Sequence, residues 1–198
     1  MKAAKKPLRQ DKPKVIYQLR VVLEEIEPSI WRRLWVADTL TLAKLDRVIQ
    51  TAMGWTNSHL HELTINGLRY GMPDDEWASE GDETMLDDRR HTIGALLGTE
   101  VAHFVYLYDF GDHWLHTVAV EQLMLPNEMN TRTMCLDGRN ACPPEDVGGV
   151  GGYMEFLEAI ADPTHDDHIA MWEWGGGPFD STGFDRNAVN AALRKLRL

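Results

Sequence analysis

The two alternating segments around Gly111 constrain the fold more than any other feature of this 198-residue sequence. Aromatic and apolar residues recur at every second position in residues 102–108, and Trp, His and Val residues share one face of residues 114–120. A period of two is typical of strands with one buried face, and the short connection predicts an antiparallel hairpin. We expect Gly111 to supply the positive φ of the turn, and the flanking aspartates to accept hydrogen bonds from its amides.

A second hairpin is predicted nearer the start of the chain. Residues 15–26 are rich in β-branched and apolar side chains, and residues 30–36 alternate after the short turn EPS. In the latter segment Arg32 faces the same way as its apolar neighbours, while Trp31 and Arg33 face the other way. Both segments are therefore expected to be strands, joined as antiparallel neighbours.

Helices are interspersed between these strands. Apolar residues recur at i, i+3, i+4 and i+7 in residues 41–54, which predicts an amphipathic helix ending at Gly54. We expect helices over residues 41–54, 92–98, 153–163 and 184–196. Residues 126–152 are expected to form a long loop, and residues 169–177 an edge strand or an aromatic lid. Hairpins without a βαβ alternation predict an α+β fold, in which an antiparallel or mixed sheet packs with about three to four helices.

Composition and charge set the domain organisation. An apolar share of 43% and a charged share of 26% suit one globular domain, which we assign to residues 14–198. Residues 1–14 carry a net charge of about +5 and the remainder about −16, because six of the 20 Lys and Arg precede residue 15. We expect residues 1–13 to be a disordered basic leader.

The same features bound the partners and the location. An acidic body repels phosphate backbones, so DNA contact is expected only through the basic leader, aided by Arg32 and Arg33 in a nucleic-acid-binding hypothesis. No run of eighteen apolar residues and no secretory signal occurs, so we expect no membrane association. Two cysteines are too few for a disulfide scaffold, which favours a cytoplasmic location.

Several short motifs resemble catalytic signatures without their required context. DFG at 109–111 lacks the glycine-rich loop and strand lysine of a kinase, and GGVGG at 148–152 lacks the Gly-Lys-Ser/Thr of a phosphate loop. No serine lies in a G-x-S-x-G elbow. Glu145 and Asp146 suit acid/base chemistry, although a turn in which they cap the amides of the following glycines is the favoured interpretation. No cofactor is expected.

Histidine and aspartate clusters raise a metal hypothesis. A composite site would use His61, Asp109, Asp112 and His116, with Glu62 adjacent, if the corresponding strands adjoin. In the alternative interpretation Asp109 and Asp112 bond turn amides, and His116 is a core histidine that donates to a backbone carbonyl.

Five ordered segments carry a resemblance over roughly residues 14–197. They are PSIWRRL, MGWTNSHLHEL, YDFGDHWLH, CLDGRNACPPEDVGGVGGY and DPTHDDH followed by FDSTGFDRNAVNAAL. Together they resemble the plasmid pRiA4b ORF-3-like family, some of whose members are labelled as passenger proteins of transposable elements and carry a resolvase name. The resemblance implies an α+β domain of unknown function and supplies no catalytic residues. The sequence shows neither the N-terminal nucleophilic serine and arginine cluster of a serine recombinase nor the Arg-His-Arg-Tyr set of a tyrosine recombinase.

Three functional hypotheses follow. The leading one is a non-enzymatic interaction or regulatory module, cytoplasmic and associated with plasmids and mobile elements, with a protein as the expected partner. The others are a metal-dependent hydrolase or nuclease that uses the HLHE and DFGDHWLH segments, and a nucleic-acid-binding accessory protein. The candidate functional surface comprises Trp31, Trp55, His59, His61, Asp109, Asp112, His116, Glu145 and Asp146.

Overall fold

The computed structural model describes residues 12–72, 85–98 and 102–198. The strands are β1 (Ile16–Leu23), β2 (Ile30–Ala37), β3 (His61–Ile65), β4 (Leu68–Gly71), β5 (Leu86–Asp87), β6 (His103–Tyr108), β7 (Trp114–Met124) and β8 (Met134–Arg139). The helices are α1 (Leu42–Met53), α2 (Ile93–Leu97), α3 (Gly149–Ala161), α4 (His168–Trp174) and α5 (Arg186–Leu193), with a short 3-10 turn at Asp88–Arg90. Most of the expected leader, residues 1–11, lies outside the described residues.

One mixed sheet organises the domain. Its strand order is β5-β4-β3-β6-β7-β1-β2-β8, and every pair is antiparallel except the short parallel pair of β4 and β5. The two predicted hairpins are present, since β1 pairs with β2 and β6 pairs with β7. The α+β expectation is confirmed: in the described parts of the chain five helices, four of them with seven or more residues, accompany the sheet.

The core lies between one face of the sheet and the helices. In β2 the residues alternate strictly between buried and half-buried, with Ile30 and Leu34 inside and Trp31 and Arg33 on the open face. Helix α1 packs its whole predicted apolar stripe inward. Gly54 follows its last residue with a φ of 114°, and this left-handed conformation lets the N–H of Trp55 reach the carbonyl of Gln50 at 3.0 Å. None of the helices in the described ranges combines the length and the hydropathy that a membrane crossing requires.

Two expectations about secondary structure were wrong. Residues 134–139, which were assigned to a long loop, form the edge strand β8 against β2. Residues 168–174 form helix α4 instead of an edge strand or a lid, and none of its residues is buried. A helix without a buried stripe gives no period of 3.6 to detect.

Arg32 is unavailable for nucleic acid. Only 3% of its surface is exposed, because it is one of the alternate residues of β2 that face the core. Its guanidinium donates to the carbonyl oxygens of Trp31, Ala52 and Arg139 at 2.8–2.9 Å and lies over the ring of Phe184. This arginine therefore joins β2 to the end of α1 and to β8 instead of facing a partner.

Candidate functional site

Three connecting segments converge at the end of the sheet where α1 terminates. They are the link from α1 to β3, the loop between β6 and β7, and the segment that leads into α3. Among the described residues, five of the seven non-glycine residues with positive φ lie in them: Asn57, Asp109, His113, Asn140 and Asp146, at 58–63°. Such left-handed backbone is uncommon outside glycine, so its concentration here marks a constrained region.

The turn between β6 and β7 is built by Asp109. Its φ is 59°, and its carboxylate Oδ1 accepts hydrogen bonds from the N–H groups of Gly111 at 2.8 Å and Asp112 at 3.3 Å. Gly111 itself does not have positive φ, so the expectation that it would supply the turn conformation was wrong. Asp109 and His113 adopt that conformation instead, and aspartate tolerates it because its short side chain satisfies the turn amides.

The second oxygen of Asp109 belongs to a three-residue cluster with His59 and Asp146. One ligand atom from each residue lies within 4.8 Å of the other two. Nε2 of His59 is 3.0 Å from Asp146 Oδ1 and 3.5 Å from Asp109 Oδ2. This nitrogen is buried, yet within the described residues neither approach has hydrogen-bond geometry. A buried nitrogen without a hydrogen bond beside two carboxylates is the arrangement that a bound cation would explain.

Glu145 holds the segments together instead of joining the cluster. Its carboxylate accepts from Thr56 N at 2.8 Å, from the Thr56 hydroxyl at 3.0 Å and from the Tyr108 hydroxyl at 3.1 Å. Burial and the nearby Glu145 raise the pKa of Tyr108 above its ordinary value, so the phenol remains a donor at neutral pH. The expectation that Glu145 caps the amides of the following glycines was wrong.

Asp112 performs that capping role. Its Oδ2 accepts from the N–H of Gly148 at 3.2 Å, just before α3 begins. The β6–β7 turn is thereby tied to the segment that carries Glu145 and Asp146. Asp112 supports the cluster without contributing a ligand atom to it.

Trp55 forms the apolar wall behind these loops. Its ring stacks on Tyr108 with centroids 4.8 Å apart, and its Nε1 donates to the carbonyl of Pro143 at 3.1 Å. Trp114 lies 6.1 Å away in a nearly parallel orientation. Stacking of this kind fixes the α1–β3 link against the sheet.

His116 is a core histidine, as the alternative interpretation expected. It is fully buried, its Nδ1 donates to the carbonyl of Tyr106 at 3.3 Å, and its ring meets the edge of Trp55. It is thus separated from the open cluster by Trp55 and cannot contribute a ligand there.

The buried state of His116 predicts a stability loss in acid. Burial lowers the pKa of His116 to about 4, whereas the unfolded chain titrates near the ordinary 6.5. As pH falls from 6.5 to 4, only the unfolded state takes up this proton, so the free energy of unfolding should fall by about 3 kcal/mol from this group alone. Urea titrations across this range should show that His116→Gln removes that component. Parallel pH profiles for the two proteins would contradict the assignment.

His61 belongs to a separate buried network. Its Nε2 lies 2.8 Å from Asp88 Oδ2 and its Nδ1 lies 3.3 Å from Asp46 Oδ1. Asp46 also accepts from the Tyr106 hydroxyl at 2.8 Å and from Gln50 Nε2 at 2.7 Å. Burial raises the pKa of Asp46, an effect that the nearby His61 opposes. These groups bind one another and do not face the cluster.

Trp31 lies on the open face of the sheet, with the guanidinium carbons of Arg20 and Arg33 at 4.9 and 5.2 Å from its ring centroid.

The structure therefore divides the predicted surface. It brings together His59, Asp109 and Asp146, supported by Trp55, Asp112 and Glu145, and it places Trp31, His61 and His116 elsewhere. The proposed grouping of His61, Asp109, Asp112 and His116 is not assembled. Sequence reasoning missed Thr56 and Tyr108, although their positions in MGWTNSHLHEL and YDFGDHWLH, two of the five resembling segments, were a usable signal.

The comparisons with known proteins identify the family of the chain. The family model described as plasmid pRiA4b ORF-3-like protein matches residues 15–188, which include every residue of the cluster. The chain belongs to the plasmid pRiA4b ORF-3-like family. The resemblance to this family is thereby confirmed over residues 15–188.

Two relatives place this ORF-3-like chain among similar proteins. It is 41% identical over 182 residues to the uncharacterised protein y4hQ of Sinorhizobium fredii, covering 91% of this chain and 92% of that protein. A crystal structure of a protein of unknown function from Methanosarcina mazei Go1 matches with a TM-score of 0.78 and 31% identity, covering 88% of this chain and 97% of that one. That crystal structure therefore shares the α+β fold described above.

Proposed function

We propose that this protein is an interaction module that binds a divalent metal ion through His59, Asp109 and Asp146. The convergence of these three ligand atoms within 4.8 Å is the observation that carries the proposal. The unsatisfied Nε2 of His59 points to the same conclusion, because metal coordination would use its lone pair.

The donor set indicates which ions fit. One imidazole nitrogen and two carboxylate oxygens suit Zn²⁺, Mn²⁺ or Fe²⁺ better than a soft ion that requires thiolates. Asp109 is fixed by its turn and Asp146 by its left-handed backbone, so two ligands are held before the ion arrives. Three protein ligands leave at least one coordination position for water or for a ligand from another molecule.

The surroundings favour binding over hydrolysis. The carboxylate closest in sequence to the cluster, Glu145, is occupied by Thr56 and Tyr108 and so is poorly placed to act as a general base. Asp146 is exposed, and two clefts of the described residues, one near the start of α1 and one beside β8, lie away from the cluster. A substrate is normally held in a concave site, whereas an exposed metal with open positions suits a donor group from a partner surface.

The biological setting belongs to the same proposal. The name of the family supports an association with plasmids and mobile elements. Cys135 and Cys142 are both free thiols, which supports a reducing, cytoplasmic location.

Metal binding should be stoichiometric and should depend on the cluster. Calorimetric titration of the metal-free protein with Mn²⁺ or Zn²⁺ should give one site, and His59→Ala or Asp146→Asn should weaken binding by about 100-fold or more, since each removes one of three ligands. His103→Ala and Asp166→Asn are matched controls, because both residues are exposed and lie outside the cluster. Unchanged affinity in the cluster variants would contradict the proposal.

Open coordination positions provide the test of the interaction role. Bound Mn²⁺ should enhance the relaxation rate of solvent protons, and added imidazole should reduce this enhancement by displacing metal-bound water. An ion without exchangeable water would contradict a partner-accepting site. Turnover of a phosphodiester or carboxylic ester that is lost in His59→Ala would replace the interaction role with hydrolysis.

A further inference from the structure

A cleft of about 1050 Å³ lies at the opposite end of α1 from the cluster of His59, Asp109 and Asp146. It is bounded by the end of β2, the start of α1, residues 131–133 and the C-terminal segment, and its apolar lining includes Tyr17, Leu40 and Leu193. Helix α1 has 12 residues, so the two sites are separated by about 18 Å of helix. The cleft is therefore independent of the cluster.

Cationic side chains dominate the charged lining of this cleft. They are Lys12, Lys14, Lys44, Arg132 and Arg194. Among the described residues, the lining contains one acidic side chain, Asp38, whose carboxylate accepts the backbone N–H of Lys14 at 3.1 and 3.2 Å. Five positive groups thus face a common space, although the whole chain has a net charge of −11.

None of these five side chains forms an ion pair within the described residues, in contrast to three arginines elsewhere in the domain. Arg33, Arg89 and Arg90 each lie within 4.0 Å of a carboxylate oxygen. Five like charges around one cleft repel one another, and a bound anion would offset that repulsion.

We propose that this cleft binds a compact oligophosphate, of the class represented by inorganic tripolyphosphate and the triphosphate group of a nucleotide. Several phosphates within one cleft would satisfy several Lys and Arg donors at once, with charge-assisted hydrogen bonds. A compact ligand is favoured over an extended nucleic acid, because a long polyanion would continue from the cleft over an acidic surface that repels it. The cleft is also large enough for a ligand of nucleotide size.

Calorimetric titration of the full chain with sodium tripolyphosphate, in the presence of a metal chelator, tests this inference. We expect saturable one-site binding that weakens between about 50 and 200 mM salt. The double variant Lys44→Gln/Arg132→Gln should raise the dissociation constant at least about tenfold. The matched control is Lys195→Gln/Arg197→Gln, which removes the same charge from exposed residues that do not line the cleft.

The outcomes are distinct. Equal binding of ATP and tripolyphosphate would support recognition of the phosphates alone, and tighter binding of ATP would support a nucleotide. Absence of saturable binding, equal weakening in the control variant, or tighter binding of a single-stranded oligonucleotide would overturn the inference. Asp146→Asn should bind tripolyphosphate like the wild type, so failure of the metal proposal and failure of this one can be told apart.

Discussion

Replacing His61 with leucine should lower the free energy of unfolding by about 3–5 kcal/mol. The imidazole lies between the carboxylates of Asp46 and Asp88, which are only 1% and 2% exposed. Leucine fills a similar volume but offers no polar atom, so both carboxylates would lose the group that faces them in a region with little water. Urea unfolding, monitored by circular dichroism, measures the change as a shift in the midpoint.

A matched control and a second-site variant separate this effect from a general intolerance of substitution. His103→Leu alters an exposed histidine at the start of β6 and should change stability by less than about 0.5 kcal/mol. In the His61→Leu background, Asp88→Asn should recover part of the loss, because a neutral amide is less costly to bury than an unpaired carboxylate. A loss below about 1 kcal/mol for His61→Leu would mean that the carboxylates reach water without the imidazole.

The hairpin of β6 and β7 was predictable because its information is local. Alternation within each strand shows which face is buried, and the connection of five residues brings the two strands together as antiparallel neighbours in a single register. Strand β8 carries no such signal, since Cys135 is its one buried residue and its partner β2 lies about a hundred residues earlier. Its existence depends on a long-range pairing that no local pattern encodes.

The site shows the same division between local and long-range information. His59, Asp109 and Asp146 were all among the candidate residues, because the His and Asp of HLHE, DFGD and PPED are visible in the sequence. Their convergence depends on the pairing of β3 with β6 and on the bond from Gly148 to Asp112. Asp46 was missed because an acidic residue on an amphipathic helix resembles a solvated position until its partner from another strand is known.

Substituting Gly152 with alanine should disturb both the fold and the metal cluster. A Cβ at this position would overlap the carbonyl oxygen of Val147, which directly follows Asp146. A backbone carbonyl cannot move aside by a side-chain rotation, so the backbone of residues 145–148 must shift. We expect a loss of stability of about 2–3 kcal/mol. Displacement of Asp146 should also weaken Mn²⁺ binding by about 10- to 100-fold, as supporting changes around metal ligands do.

Gly151 provides the matched control one residue away in the same helix. A Cβ there would meet nothing within 4 Å, so Gly151→Ala should leave metal affinity unchanged and raise stability by up to about 1 kcal/mol through the lower backbone entropy of alanine in the unfolded chain. Both affinities are compared at a temperature where circular dichroism shows the variants to be folded. If Gly152→Ala is destabilised but binds Mn²⁺ like Gly151→Ala, the position of Asp146 does not govern the site, and the metal would have to be held by other residues.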